Sequence, residues 1–100
     1  MATFVSTIKF TDQRIKAIGE TTKRAASLKS AAKKMGVKVK DIYWTLGAVD
    51  GFLIFDAPDD ETATALMLHF GSQGNVQTTT ARAFTAAEMD KVLAKMTGAE

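Results

Sequence analysis

Between residues 37 and 57, apolar side chains occupy both alternating sets of positions. Ile42, Trp44 and Leu46 interleave with Tyr43 and Thr45, and Phe52 and Ile54 interleave with Leu53 and Phe55. Successive strand residues point to opposite faces, so the pattern predicts two strands, residues 37–47 and Gly51–Ala57, each largely apolar on both sides. Asp50-Gly51 stands between the runs. Asp-Gly in that setting predicts a tight hairpin over residues 48–51, with the glycine at positive φ. One helical layer covers only one face of a sheet. The other face, with Trp44 or Phe52 on it, needs a different cover.

The flanking patterns supply two more strands and the helices. Ala2–Phe10 alternates Phe4, Ser6 and Ile8 against Thr3, Val5 and Thr7, which predicts a strand. Thr11-Asp12 suits an N-cap followed by an acid in the first helical turn. It opens a short helix to about residue 18, with Ile15 and Ile18 as a helical pair. A longer helix over residues 22–35 presents Ala25, Leu28, Ala32 and Met35, with Gly36 as its C-cap glycine. Its outer face carries Lys23, Arg24, Lys29, Lys33 and Lys34, most simply a solvated surface.

Pro58 stops the hairpin's second strand, and Asp59, Asp60 and Glu61 favour a helix start. Ala63, Leu66, Met67 and Phe70 form the buried stripe of that helix, which ends within residues 71–74. Residues 75–84 predict a threonine-rich strand carrying Thr78, Thr79 and Thr80. Thr85-Ala86-Ala87-Glu88 matches a capping box, and Met89, Val92, Leu93 and Met96 make a regular stripe behind it, with Gly98 ending the helix. With right-handed crossovers this order predicts an α+β fold, the ferredoxin-like βαββαβ sandwich. Four antiparallel strands carry helices on one face, and an extra helix follows at the C-terminal end.

Composition narrows the function classes. One hundred residues make one domain. A formal charge of +2, with no basic cluster interleaved with aromatics, gives no expectation of nucleic-acid binding. The absence of cysteine excludes disulfides, thiolate metal sites and cysteine nucleophiles. The opening MATFVSTIKF is too short and polar for a signal segment, and no apolar run approaches membrane-spanning length. The expectation is a soluble cytoplasmic protein with no membrane partner.

The chemistry-bearing residues are few. His69, the single histidine, lies about 110° from the centre of its helix's apolar stripe. That boundary position suits a partly solvated histidine better than an axial ligand or an acid–base group. A protein-only zinc site is not expected, and nothing in the sequence requires a cofactor. Haem, if bound, would take His69. Tyr43, Trp44, Phe70 and Arg82 join His69 as ligand-pocket candidates, because aromatics with polar handles and an arginine beside Thr78 and Thr80 suit a pocket. For Arg82 a wet interface is the preferred reading. Gly47, Asp50 and Gly51 read as turn residues, Asp50 being what a tight turn prefers. Asp12, Asp59, Asp60 and Glu61 are explained by helix caps and dipoles. Ser6, Ser27, Ser30 and Ser72 sit in no nucleophile motif, and the Gly71 to Gly74 segment lacks a phosphate-loop lysine. No catalytic residue is assigned.

Gly47-x-x-Asp50, Ala57-Pro58-Asp59-Asp60, Gly74-Asn75-Val76 and Arg82-Ala83-Phe84 together resemble the GYD domain family, over nearly the whole chain. The family's Gly-Tyr-Asp pattern would fall on Gly47, Val49 and Asp50, with valine replacing the tyrosine. The resemblance implies a small bacterial domain of the dimeric α+β barrel superfamily, in which two ferredoxin-like sheets pack face to face. It implies a homodimer, with higher oligomers open, and a cleft between sheet and helices for a small apolar or aromatic ligand. Relatives in that superfamily include haem-degrading and quinol-forming monooxygenases, muconolactone isomerases and stress-responsive dimers, but no catalytic set from them maps onto these residues. Three functions are therefore in view. The first is a homodimeric small-molecule-binding domain. The second is a cofactor-light monooxygenase or isomerase, or a haem protein using His69. The third is a structural assembly module.

Overall fold

The computed structural model describes residues 1–98. Strand β1 (Ala2–Phe10) leads into the short helix α1 (Asp12–Lys16), a single 3-10 turn at Ile18–Glu20, and α2 (Thr21–Lys34). Strands β2 (Lys38–Trp44) and β3 (Gly51–Ala57) follow, then α3 (Asp60–Ser72), β4 (Val76–Ala83) and α4 (Ala86–Met96). The sheet runs β2-β3-β1-β4, antiparallel throughout, which is the ferredoxin-like order expected from the sequence.

Register fixes the core. Phe4 pairs with Phe55, Ser6 with Leu53 and Ile8 with Gly51. This sets Phe4, Ile8, Leu53 and Phe55 on one face, where α2 adds Leu28 and Ala32 and α3 adds Ala63 and Leu66. Phe4 and Phe55 stack with ring centroids 5.4 Å apart. Each such large side chain withdrawn from water contributes about 1.5–3 kcal/mol. The start of α3 is secured by Asp59, whose Oδ1 accepts the Thr62 N–H at 2.7 Å. Ser6, fully buried, shares a hydrogen bond of 2.9 Å with the Thr80 hydroxyl.

The hairpin departs from the tight turn read from Asp-Gly. β2 ends at Trp44, and a six-residue connection over residues 45–50 reaches Gly51, the partner of Trp44 across the ladder. Positive φ falls at Gly47 (125°), not at Gly51. Asp50 closes no two-residue turn. Its N–H donates to the Ile8 carbonyl at 2.8 Å, and its Oδ2 accepts the Phe10 N–H at 2.7 Å. These bonds tie the connection to the end of β1 and outcompete the local turn. Gly51 is required for space instead, since a Cβ there would stand 2.7 Å from the Tyr43 carbonyl oxygen. Leu46 leaves the sheet and is fully exposed.

Three further expectations are corrected. Trp44 does not lie on the uncovered face: a bulge between Val39 and Asp41 resets the strand, and Trp44 turns to the helices, its Nε1 donating to Thr21 Oγ1 at 2.9 Å. The helix-free face carries Tyr43 and its partner Phe52, with Val5 and Ile54. The expected helical pair is exposed, Ile15 on α1 and Ile18 in the 3-10 turn after it, and Arg14 is the buried residue of α1. Finally, Met89, Val92, Leu93 and Met96 on α4 are all exposed, because α4 makes no extended contact with the body. The radius of gyration, 15.3 Å, exceeds the roughly 13 Å of a compact chain of this length.

Candidate functional site

A cleft opens where α1, α2 and the end of α3 converge above the sheet. Its volume is about 560 Å³, and its lining combines Arg14, Arg24, Gln13 and Asn75 with Leu28 and Phe70. Local structure explains each placement. Thr11 caps α1, its hydroxyl accepting the Arg14 N–H at 3.3 Å and donating to the Gly74 carbonyl at 2.7 Å. This bond and that of Thr11 N–H to the Asn75 carbonyl (3.1 Å) clamp α1 against the loop after α3. Gln13 Nε2 donates to Asn75 Oδ1 at 3.0 Å, so the polar wall is pre-positioned.

With α1 held in that orientation, Arg14 points inward and is only 4% exposed. Its guanidinium lies over the Phe10 ring, 5.0 Å from the centroid, a favourable stacking for a planar cation. One terminal nitrogen donates to Thr21 Oγ1 at 2.8 Å and also approaches the Thr21 carbonyl at 3.4 Å. The Nε–H has no partner. Arg24 enters from α2, and its buried Nε–H is likewise unpaired. The sole ion pair among the described residues is Arg24 with Glu20, at 3.7 Å, and Glu20 is largely in solvent. Burial first, and the Arg24 charge second, pull the Arg14 guanidinium below its ordinary pKa, with Glu20 opposing.

Beneath these arginines lies an extension of about 30 Å³, lined by Ile8, Phe10, Leu28, Ile42, Trp44 and Phe70. That is room for little more than one water. Asp50 also borders it, with its carboxylate engaged by Phe10 N–H.

Of the residues singled out from the sequence, the structure brings Trp44 and Phe70 together at the extension of this cleft, which Tyr43 borders as well. Tyr43 projects to the helix-free face, its hydroxyl 3.5 Å from Asp41 Oδ1. His69 is exposed on α3, its Nε2 3.5 Å from Gln73 Nε2. A haem held there would lie on an exposed helix surface, so the surroundings of His69 do not fit that group. Arg82 lies elsewhere, beside Thr78 and Thr80 in a groove between α3 and β4. It donates to the Thr3 and Ala83 carbonyls at 3.0 and 2.7 Å and stacks on Phe84. Among the described residues no three His, Cys, Asp or Glu side chains gather as a metal site, and no helix is long and apolar enough to cross a membrane.

Sequence reasoning missed Arg14 and assigned Arg24 to the solvated lysine face. The available signal was Phe10 four residues before Arg14, with Thr21 beyond, which together offer a ring and a hydroxyl to an inward guanidinium.

The GYD domain family model matches residues 4–93, so the chain belongs to the GYD domain family. No curated protein and no solved structure gives a significant match.

Proposed function

We propose that this GYD domain is a homodimer that binds a small molecule in the cleft between its helices and its sheet. The observation that carries the reading is the cleft of about 560 Å³ with Arg14 buried in its wall. Folded domains bury unpaired charge only at considerable cost, and such groups mark binding sites more often than neutral surfaces do. An assembly module would have side chains filling this space.

Two surfaces support the dimer. The sheet presents Val5, Tyr43, Phe52 and Ile54 on a face without helices. The stripe of α4 is also bare, and an isolated helix of 11 residues is marginal in water. A second copy covers both by the face-to-face packing that the family resemblance implies.

Native mass spectrometry of freshly purified protein, with light scattering at micromolar concentration, tests the reading. The expected result is a dimer mass carrying an added small mass that is lost on denaturation. A monomer, or a dimer that neither retains nor takes up any small molecule, would overturn it.

A further inference from the structure

The cleft specifies the sign of its ligand's charge. Two guanidinium groups face the same space, and each keeps a buried Nε–H without an acceptor. Thr21 takes one terminal nitrogen of Arg14, leaving donors for which the described residues supply no acceptor. The neighbouring acids do not fill the role. Glu20 sits 3.7 Å from Arg24, beyond a good charged hydrogen bond, and mostly in water. Asp50 is held by Phe10 N–H and is not within ion-pair distance of either arginine.

Beside the arginines the wall turns apolar at Leu28, Ala31 and Phe70, and then amide-bearing at Gln13 and Asn75. Resting on the small-molecule reading above, we propose that the ligand is a small organic anion. Its carboxylate or phosphate head lies between Arg14 and Arg24, and its apolar body lies against Leu28, Ala31 and Phe70. Guanidinium donors match both kinds of head group geometrically, and a bound anion would offset the charge of both arginines. The same binding would register in the single tryptophan, because Trp44 Nε1 and Arg14 donate to one Thr21 hydroxyl.

The test titrates the full chain with benzoate, phenyl phosphate and the neutral isostere benzamide, followed by calorimetry and by Trp44 emission. Arg24→Gln and Arg14→Gln are run beside the parent, Arg24→Gln being the variant that leaves the α1 packing in place. The expected result is that at least one anion binds at least about tenfold more tightly than benzamide, and that Arg24→Gln loses at least about tenfold of that affinity. Preference for benzoate or for phenyl phosphate identifies the head group. Benzamide binding as well as the anions would overturn the charge assignment and leave the small-molecule reading standing. Anion binding unchanged in Arg24→Gln, or no binding by any of the three probes, would also overturn it. The co-purified mass then judges the broader reading independently.

Discussion

Helices α3 and α4 carry nearly the same local instructions. Each begins with a side-chain cap, Asp59 to Thr62 N–H in α3 and the reciprocal Thr85–Glu88 box in α4. Each has four apolar residues at helical spacing, Ala63, Leu66, Met67 and Phe70 against Met89, Val92, Leu93 and Met96. The first set meets Phe4, Leu53 and Phe55 and becomes core, whereas the second stays exposed and makes no extended contact among the described residues. Caps and periodicity decide that a helix forms and which side is greasy. They do not decide what lies against that side. For α3 the answer is in the same chain, and for α4 the described residues of the protomer offer none.

Truncation gives the largest contrast. Leu66→Ala, at a fully buried position, is expected to cost about 2–5 kcal/mol in urea unfolding. Leu93→Ala should leave the stability of the dilute protomer within about 0.5 kcal/mol of the parent. A Leu93→Ala loss as large as that of Leu66→Ala would show α4 packed on its own body.

A second measurement sharpens the other half of the comparison. Met89→Asp combined with Leu93→Asp is expected to weaken self-association by at least about tenfold, since a Leu contact withdrawn from water is worth more than the corresponding free energy. Sedimentation across a concentration series reads this directly. An unchanged dissociation constant removes α4 from the interface.

The smallest effect is in acid. Hydrogen bonds from Thr62, hydroxyl first and backbone N–H second, hold the Asp59 carboxyl below its usual range. Bonds from Thr85, backbone first, do the same for Glu88. Both carboxyls therefore bind protons more weakly folded than unfolded. Their stabilisation is complete at neutral pH and is lost as pH falls from about 4 through the folded values. Asp59→Asn should flatten the acid limb of the global unfolding transition. Glu88→Gln should leave that limb unchanged and alter only helical signal from α4. Equal effects of the two would break the contrast.

Much of the fold was legible because it is written locally. Alternation marks β1 and β3, Pro58-Asp59 marks the α3 start, and Thr85–Glu88 marks the α4 start. The cleft was not, for reasons specific to its residues. Ile15 and Ile18 read as the inward pair of α1, but Thr11 bonded to Gly74 and Asn75 sets the helix orientation from a distance in sequence. Arg24 follows Lys23 and is indistinguishable from a solvated base until Arg14 and Glu20 are placed around it. Trp44 and Phe70 were found because aromatic side chains announce themselves by size, whereas an inward arginine is visible only through its partners.

The geometry of Gly51 divides the hairpin into a fixed part and a free part. With the Tyr43 carbonyl oxygen 2.7 Å from where any Cβ would stand, every substitution at 51 must push β2 away from β3. Leu46 to Ala48 are exposed, so the same connection should accept extra residues, a spectroscopic label or an affinity handle there. Sequence tolerance in this segment is expected to change from permissive to absolute within five positions.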